Sequence, residues 1–296
     1  MSLVINHNMM AMNATRNLND NYSRLAVSVR RLSSGLRIGT AADDAAGLAI
    51  RELMRADIAS LNQGVRNAND AISMIQTADG ALQVIDEKLI RLKELAEQAA
   101  TGTYNSDQRL MIESEYQAMA SEITRIANAT DFNGVHLLNG NLSSDVHNGN
   151  GLVSTGKLKI HFGSGNDCSE DYYYVTMGNA TASALGLGNQ SAQDAGYSIS
   201  TQRAAQMALD AINEAIISKD KIRAHLGAIQ NRLENTISNL QIQAENIQAA
   251  ESRISDVDVA TEMTEFVRNQ VMSQAAVAML AQANSLPQMA LQLIQG

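Results

Sequence analysis

Between residues 54 and 99 apolar side chains recur at Met54, Ile58, Leu61, Val65, Ala68, Ile72 and Ile75, then at Ala78, Leu82, Ile85, Leu89, Leu92, Ala96 and Ala99. The steps alternate four and three, the spacing of a heptad seam along one face of a helix. Two successive threes across Ile72, Ile75 and Ala78, followed by Asp79-Gly80, predict a local change of winding or a kink rather than a break. Such a helix is about 70 Å long at 1.5 Å per residue. A narrow seam cannot bury itself, so this rod requires partners of comparable length, from its own chain or from neighbouring molecules.

The same stepping occurs earlier, at Ala11, Thr15, Leu18, Tyr22, Leu25, Val29, Leu32 and Leu36, and predicts a first helix over about 11–36. Ser33-Ser34-Gly35 and Gly39-Thr40 punctuate it, and Asp43-Asp44 suit the start of the next helix, which places a domain boundary near residue 43. After the rod, Thr101-Gly102-Thr103 ends the helix and Ser106-Asp107 opens a shorter one over 106–128, with Ile112, Tyr116, Met119, Ile123 and Ile126 as its seam. At about 30 Å it covers only part of the rod. From 130 to 197 the pattern changes to Gly, Asn and Ser punctuation. Asp131-Phe132-Asn133-Gly134 forms a turn, and 158–162 with 172–177 alternate as the strands of a hairpin. Helical spacing resumes over 200–256, with Ile222, Leu226, Ile229, Leu233, Ile237, Leu240, Ala244 and Ile247 as the seam and a stutter of two fours at Leu233. This helix is long enough to be the missing partner. A last amphipathic stretch runs over 259–282, and Pro287 limits its continuation.

The layout is nearly palindromic, so the chain goes out and comes back. It predicts a mainly α, elongated long-helix coiled-coil bundle with a small β-hairpin segment and the two termini paired at one end. Two terminal helices with narrow seams bury little by themselves, and the pair is expected to fold or tighten on meeting copies of itself.

Composition sharpens this picture. Of 296 residues 45% are apolar but only 3% aromatic, with no Trp and one Pro, which suits long helices better than a compact enzyme core. A net charge of -9 without a basic stripe argues against nucleic acid. The apolar run Leu3-Val4-Ile5 is too short for a cleavable signal core, and Ala275 to Ala281 is too short to span a bilayer, so neither signal-directed export nor membrane insertion is expected. Cys168 is the one cysteine, which excludes an internal disulfide.

Candidate chemistry is sparse. Gly151-Leu152-Val153-Ser154-Thr155-Gly156-Lys157 resembles the start of a phosphate loop, but Leu158 stands where a magnesium-binding hydroxyl belongs and a strand follows. His7, His136, His147, His161 and His225 lie on separate segments without metal-ligand spacing. Cys168 sits among Asp167, Glu170 and Asp171, which disfavour a thiolate. Of the fourteen methionines, those at helical seam positions such as Met54 and Met119 are expected as core filler. No catalytic, cofactor or metal site is expected.

Five separated stretches carry a family resemblance. Arg31-Leu32-Ser33-Ser34-Gly35-Leu36-Arg37-Ile38, Asp43-Asp44-Ala45-Ala46-Gly47, Arg66-Asn67-Ala68-Asn69-Asp70, Asp131-Phe132-Asn133-Gly134, and Leu280-Ala281-Gln282-Ala283-Asn284 with Pro287-Gln288 resemble bacterial flagellin over about 1–140 and 198–296. The resemblance implies a non-enzymatic subunit of the flagellar filament, used for motility. Residues 1–43 and 257–296 would be the halves of an inner helical core, and 44–256 an outer rod. It implies extracellular localisation in the flagellum, reached by unfolded type III export without a cleaved signal. Implied partners are other copies of the chain, an export chaperone, a filament cap and hook-associated proteins. The interval of roughly 60 residues in the middle leaves room for the hairpin and no large outer domain.

By the same resemblance, Arg91, Leu95 and Glu115 match a patch through which a vertebrate Toll-like receptor recognises many flagellins, and which also serves subunit contacts. Ile90 and Glu97 depart from its usual surroundings. The exposed side of the rod, carrying Arg91 and Leu95, is expected to do the work of assembly. The main rival is a hook-filament junction protein, which shares the terminal helices; the match from Leu280 to Gln288 favours the filament subunit.

Overall fold

The computed structural model describes residues 8–144, 146–148, 156–168, 170–187 and 196–295, with side chains at 286, 287 and 290–295 left out. The Leu3-Val4-Ile5 run, His7 and the part of the phosphate-loop-like stretch from Gly151 to Thr155 lie outside the described residues. Element order is α1 (Met9–Ser34), α2 (Ala45–Ala100), α3 (Ser106–Ala129), β1 (Asp131–Phe132), β2 (Val135–His136), β3 (Leu158–His161), β4 (Tyr172–Val175), α4 (Gln202–Ser255) and α5 (Val259–Gln295). The mainly α fold with a small hairpin is the one the heptad spacing predicts. One boundary differs: α5 continues past Pro287 to Gln295, where a stop was expected.

Two compact units are distinguishable, one formed by 1–58 with 245–296 and the other by 59–244, so the division falls inside α2 and α4.

In the unit formed by 59–244, the α2 seam is the core. Ala68, Ile75, Ala78, Leu82, Ile85, Leu89, Leu92, Ala96 and Ala99 are all at most 1% exposed. The helix is unbroken through Asp79-Gly80. Residue pairs across α2 and its neighbours run in opposite directions. Asp79 meets Arg223 and Asp86 meets Lys219 on α4, while Arg91 meets Glu115 and the Ala99 carbonyl accepts from Arg109 on α3. Both neighbours are therefore antiparallel to α2. The α3 start is held by a capping box, in which the Asn105 side chain accepts from the Gln108 backbone while Gln108 answers to the Asn105 N–H.

The turn at 131–134 is a two-residue hairpin loop with positive φ at Asn133 (51°) and Gly134 (80°), a conformation that matches the twist of β1 and β2. Strands β3 and β4 pair antiparallel, with Lys159 opposite Tyr174 and His161 opposite Tyr172. Their inner face is set against α2 and α4. A Cβ at Gly64 would collide with the Phe162 carbonyl, so α2 needs glycine where the hairpin crosses it. Asn67 donates to the His161 carbonyl at 2.8 Å, and the Arg232 guanidinium lies 3.5 Å from the centre of the Tyr173 ring. The segment before α4 is tied to α3: the Tyr116 hydroxyl donates to the Gly196 carbonyl at 2.6 Å, and Ile199 N–H to Glu113 at 2.5 Å. Burial pushes the Tyr116 hydroxyl pKa well above its ordinary value.

In the other unit α1 and α5 pack antiparallel. Asn8 donates to the Ala283 carbonyl at 2.8 Å near one end of the pair, and Arg31 reaches Glu262 at 3.5 Å near the other. Most of the motif between Arg31 and Gly47 maintains this unit. Gly35, at φ 71°, closes α1 in the left-handed region, and its N–H returns to the Arg31 carbonyl. Leu36 bridges to Asp256 in antiparallel pairing, and the Arg37 guanidinium caps the Ile254 carbonyl at 2.6 Å. Ile38 is buried, its carbonyl accepting from Arg51 at 2.6 Å. Asp43 gathers Gly39 N–H, Thr40 N–H and the Thr40 hydroxyl, and these hydrogen bonds, Thr40 foremost, hold its carboxyl below the usual carboxylate range. Asp44 accepts from Gly47 N–H at the first turn of α2.

Candidate self-assembly surface

The α1–α5 pair is built inside out. Along α1 the half-buried or buried seam positions are Ala11, Ala14, Leu18, Asn21, Leu25, Ser28 and Leu32; along α5 they are Glu262, Phe266, Asn269, Ser273, Ala276, Leu280 and Ala283, with Val27, Arg31, Glu265 and Ser285 half-buried beside them. Both lists step by threes and fours, so each is a true heptad seam. Its fully buried members are Ser28, Glu262, Asn269, Ser273 and Ala283, four of them polar. Leu18, Leu25, Leu32, Phe266 and Leu280 are half-buried in the seam, but many other large apolar side chains point the other way. Tyr22 and Val29 are 51% and 49% exposed, and Val259, Met263, Val267, Val271, Met272, Val277 and Met279 are between 44% and 63% exposed.

This corrects the expected α1 seam, which placed Thr15, Tyr22 and Val29 inside. Two heptad phases share Ala11, Leu18, Leu25 and Leu32. The structure chooses the phase with Ala14, Asn21 and Ser28, whose small side chains allow close approach to the small seam of α5. The seam methionines Met54 and Met119 are half-buried. Met74 and Met177 are core, but Met9, Met10, Met12, Met263, Met272 and Met279 are exposed on α1 and α5.

A helix apolar on every side is stable only when buried on every side. In α5 a mixed seam of polar, small and two large apolar residues faces α1, while valines and methionines on its other faces have no partner within the described residues of the chain. Between the two helices a groove of about 740 Å³ is lined by Met10, Ala14 and the polar Asn13, Asn17, Asp20, Asn21 and Arg24 on one side and chiefly by Met272, Ala276 and Met279 on the other. Flexible thioethers can shape themselves to whatever enters it.

The start of α5 is set by Asp258. Its carboxylate accepts from the Thr261 hydroxyl at 2.8 Å and from Ala260 N–H at 3.0 Å. The Thr261 bonds above all hold its pKa below the ordinary value.

The second expected patch is only partly assembled. Arg91 is exposed and forks onto Glu115, with Glu94 as a further partner at 2.9 Å; Glu115 and then Glu94 raise the guanidinium pKa. Leu95 was expected beside it on the exposed side, but it is 1% exposed and belongs to the core. At this level α2 is flanked by both α3 and α4, so its apolar arc widens beyond a two-position seam and takes in Leu95. Exposed apolar side chains nearby on the same helices are Ile90, Leu110 and Met111.

Other candidates from the sequence do not converge. Among the described residues no group of three or more His, Cys, Asp or Glu side chains could hold a metal ion. His161 stacks on Tyr172, His147 lies beside Tyr174, and the His225 ring is 3.3 Å from the Thr176 hydroxyl. Cys168 is exposed and unbridged. No helix among the described residues is long and apolar enough to cross a membrane.

Long coiled-coil helices, a two-helix unit with its apolar side outward and an exposed charged rim define a structural subunit that associates with other chains. Comparison with known proteins specifies which. The pattern of the bacterial flagellin N-terminal helical region matches residues 5–143, and that of the C-terminal helical region matches 209–294. The chain is 44% identical to a flagellin of Halalkalibacterium halodurans, over 99% of this chain and all of that one. It is 41% identical to the flagellar filament 33 kDa core protein of Treponema phagedenis, again over 99% and 100% of the two chains. A putative flagellar hook-associated protein from Vibrio parahaemolyticus shares the fold at a TM-score of 0.56, covering 72% of this chain and 100% of that one at 14% identity. The chain belongs to the bacterial flagellin family.

Proposed function

We infer that this chain is the structural subunit of a bacterial flagellar filament, which assembles from copies of itself and serves motility. The observation that carries this reading is the inverted α1–α5 pair, whose valine and methionine faces need other chains to cover them. Full-length identity of 40% or more to flagellins and filament core proteins supports it. The fold alone is shared with a hook-associated protein and does not separate the two roles.

On this reading residues 1–43 and 257–296 supply the inner helical core of the filament and 44–256 the outer rod, with the filament lying outside the cell. Before export the apolar faces of α5 need shielding, which suits a chaperone acting on the C-terminal segment; a cap and hook-associated proteins would meet the same faces at the filament ends. Arg91 and Glu115 form the exposed part of a subunit-contact patch, and of a Toll-like receptor contact. Leu95 supports them from beneath.

Purified chain, seeded with short filament fragments and followed by electron microscopy, should elongate into filaments without any other protein. Short capped assemblies in place of filaments would transfer the assignment to a hook-filament junction protein.

A further inference from the structure

Helix α4 carries a charge where its seam calls for an apolar side chain. Its inward positions run Ala205, Ala208, Ile212, Ala215, Lys219, Ile222 and Leu226, and Lys219 is 2% exposed. The ammonium reaches Asp86 on α2 at 2.5 Å and Asp220 at 2.7 Å. One turn further, Arg223 donates through Nε and Nη2 to the two oxygens of Asp79 at 2.7 and 3.2 Å. Burial works against the Lys219 charge, but Asp220 and Asp86 outweigh it and its pKa is raised.

We propose that Lys219, Arg223, Asp79 and Asp86 form a register lock that selects one axial alignment of α2 and α4. The seams of both helices are repetitive, so a slip of one heptad, about 10 Å, would again lay apolar side chains on apolar ones. The charges break that degeneracy. Asp79 and Asp86 are themselves one heptad apart. Sliding seven residues one way brings Lys219 level with Asp79 but Arg223 level with Ile72, and leaves Asp86 facing the level of Ile212. Sliding the other way brings Arg223 level with Asp86 but Lys219 level with Lys93. Only the observed alignment pairs all four. Lys219 is the buried member, while Asp86, Arg223 and Asp79 are partly exposed; setting Lys219 against Lys93, or stranding the half-buried Arg223 and Asp86, is disfavoured, whereas a buried pair adds little to stability over apolar residues of similar size. The cluster therefore acts on specificity more than on strength. The lock concerns the fold of one chain and does not depend on the assembly reading.

The test uses the monomeric full-length chain with Cys168→Ser and spin labels at Gln76→Cys on α2 and Gln241→Cys on α4, read by pulsed electron-electron resonance. The parent should show one distance. Lys219→Met with Arg223→Met should keep its helical circular dichroism but show a second distance, displaced by about 10 Å. The swapped variant, Asp86→Lys with Lys219→Asp, should return to a single distance. One unchanged distance in the Met variant overturns the proposal. Should the Met variant lose its helical signal, the swapped variant decides: a single parental distance supports the lock, and two distances or loss of helix refute it.

Discussion

Two guanidinium nitrogens of Arg91 on α2 converge on one carboxylate oxygen of Glu115 on α3, at 3.0 and 2.7 Å. Both side chains remain nearly half exposed, at 48% and 44%, so the pair sits at the rim of the helix contact while Leu95, one turn from Arg91, is in the core. Three residues grouped by sequence therefore divide into a surface pair and a support.

Leu95→Ala should lower the stability of the monomer by about 2–5 kcal/mol, the cost of a buried leucine, while Glu115→Gln should change it by less than about 1 kcal/mol. Urea unfolding of each variant measures both. Glu115→Gln should nevertheless slow seeded elongation, because the charge it removes lies on the surface assigned to subunit contact. A variant that elongates at the parental rate would remove Glu115 from that surface.

Deleting residues 257–296 removes α5 and with it most of the unpartnered apolar face. The remaining fragment should be soluble, strongly helical by circular dichroism and unable to extend seeds at any concentration. Extension by the fragment would place the assembly surface elsewhere.

Amides of residues 8–43 and 257–285 should exchange quickly in the monomer and slowly in the filament. The α1–α5 seam buries small and polar side chains, which contribute little without covering neighbours. Slow exchange in both states would show a pair already stable alone.

Acid should release the start of α5 at a pH below the ordinary aspartate range. The Asp258 carboxyl titrates below 3.8 when folded because Thr261 and Ala260 bond its charged form. A depressed folded pKa contributes stability that is present above the unfolded value and is lost as pH falls through the folded one. Asp43, held down by Thr40, adds to the same loss in the loop before α2. In the full-length chain the Asp258 carboxyl carbon shift should show a midpoint below the ordinary aspartate value, and Asp258→Asn should remove the associated pH dependence of exchange at 259–262. A midpoint at or above the ordinary value would contradict the cap.

Much of the fold is legible because heptad spacing is a local signal. The α2 seam from Ala68 to Ala99 is buried as spaced except at Ile72, which is half-buried while Ala71 takes its place, and the turn at Asn133-Gly134 follows from two residues that accept positive φ. The candidate surface was less legible. Spacing does not distinguish the two phases of α1 that share Leu18 and Leu25, and the more apolar one, with Tyr22 and Val29, is the natural choice when a core is sought. A usable signal was nevertheless present: α5 spreads valine and methionine over several faces instead of gathering them in one stripe, a pattern that simple amphipathic packing does not produce. Lys219 was hidden for the opposite reason, since a lysine inside a seam is taken for a break in the seam.

By itself the sequence determined the helices, their approximate ends except that of α5, the hairpin and the kinship with flagellins, because each rests on local periodicity or on residues read one after another. Tertiary structure decided which face of α1 meets α5, that Leu95 lies inside while Arg91 lies outside, and that Lys219 finds Asp86. Those outcomes depend on which neighbours flank a helix and at what level along it. Side chains far apart in the chain, such as Asn8 and Ala283, settle that only when they meet.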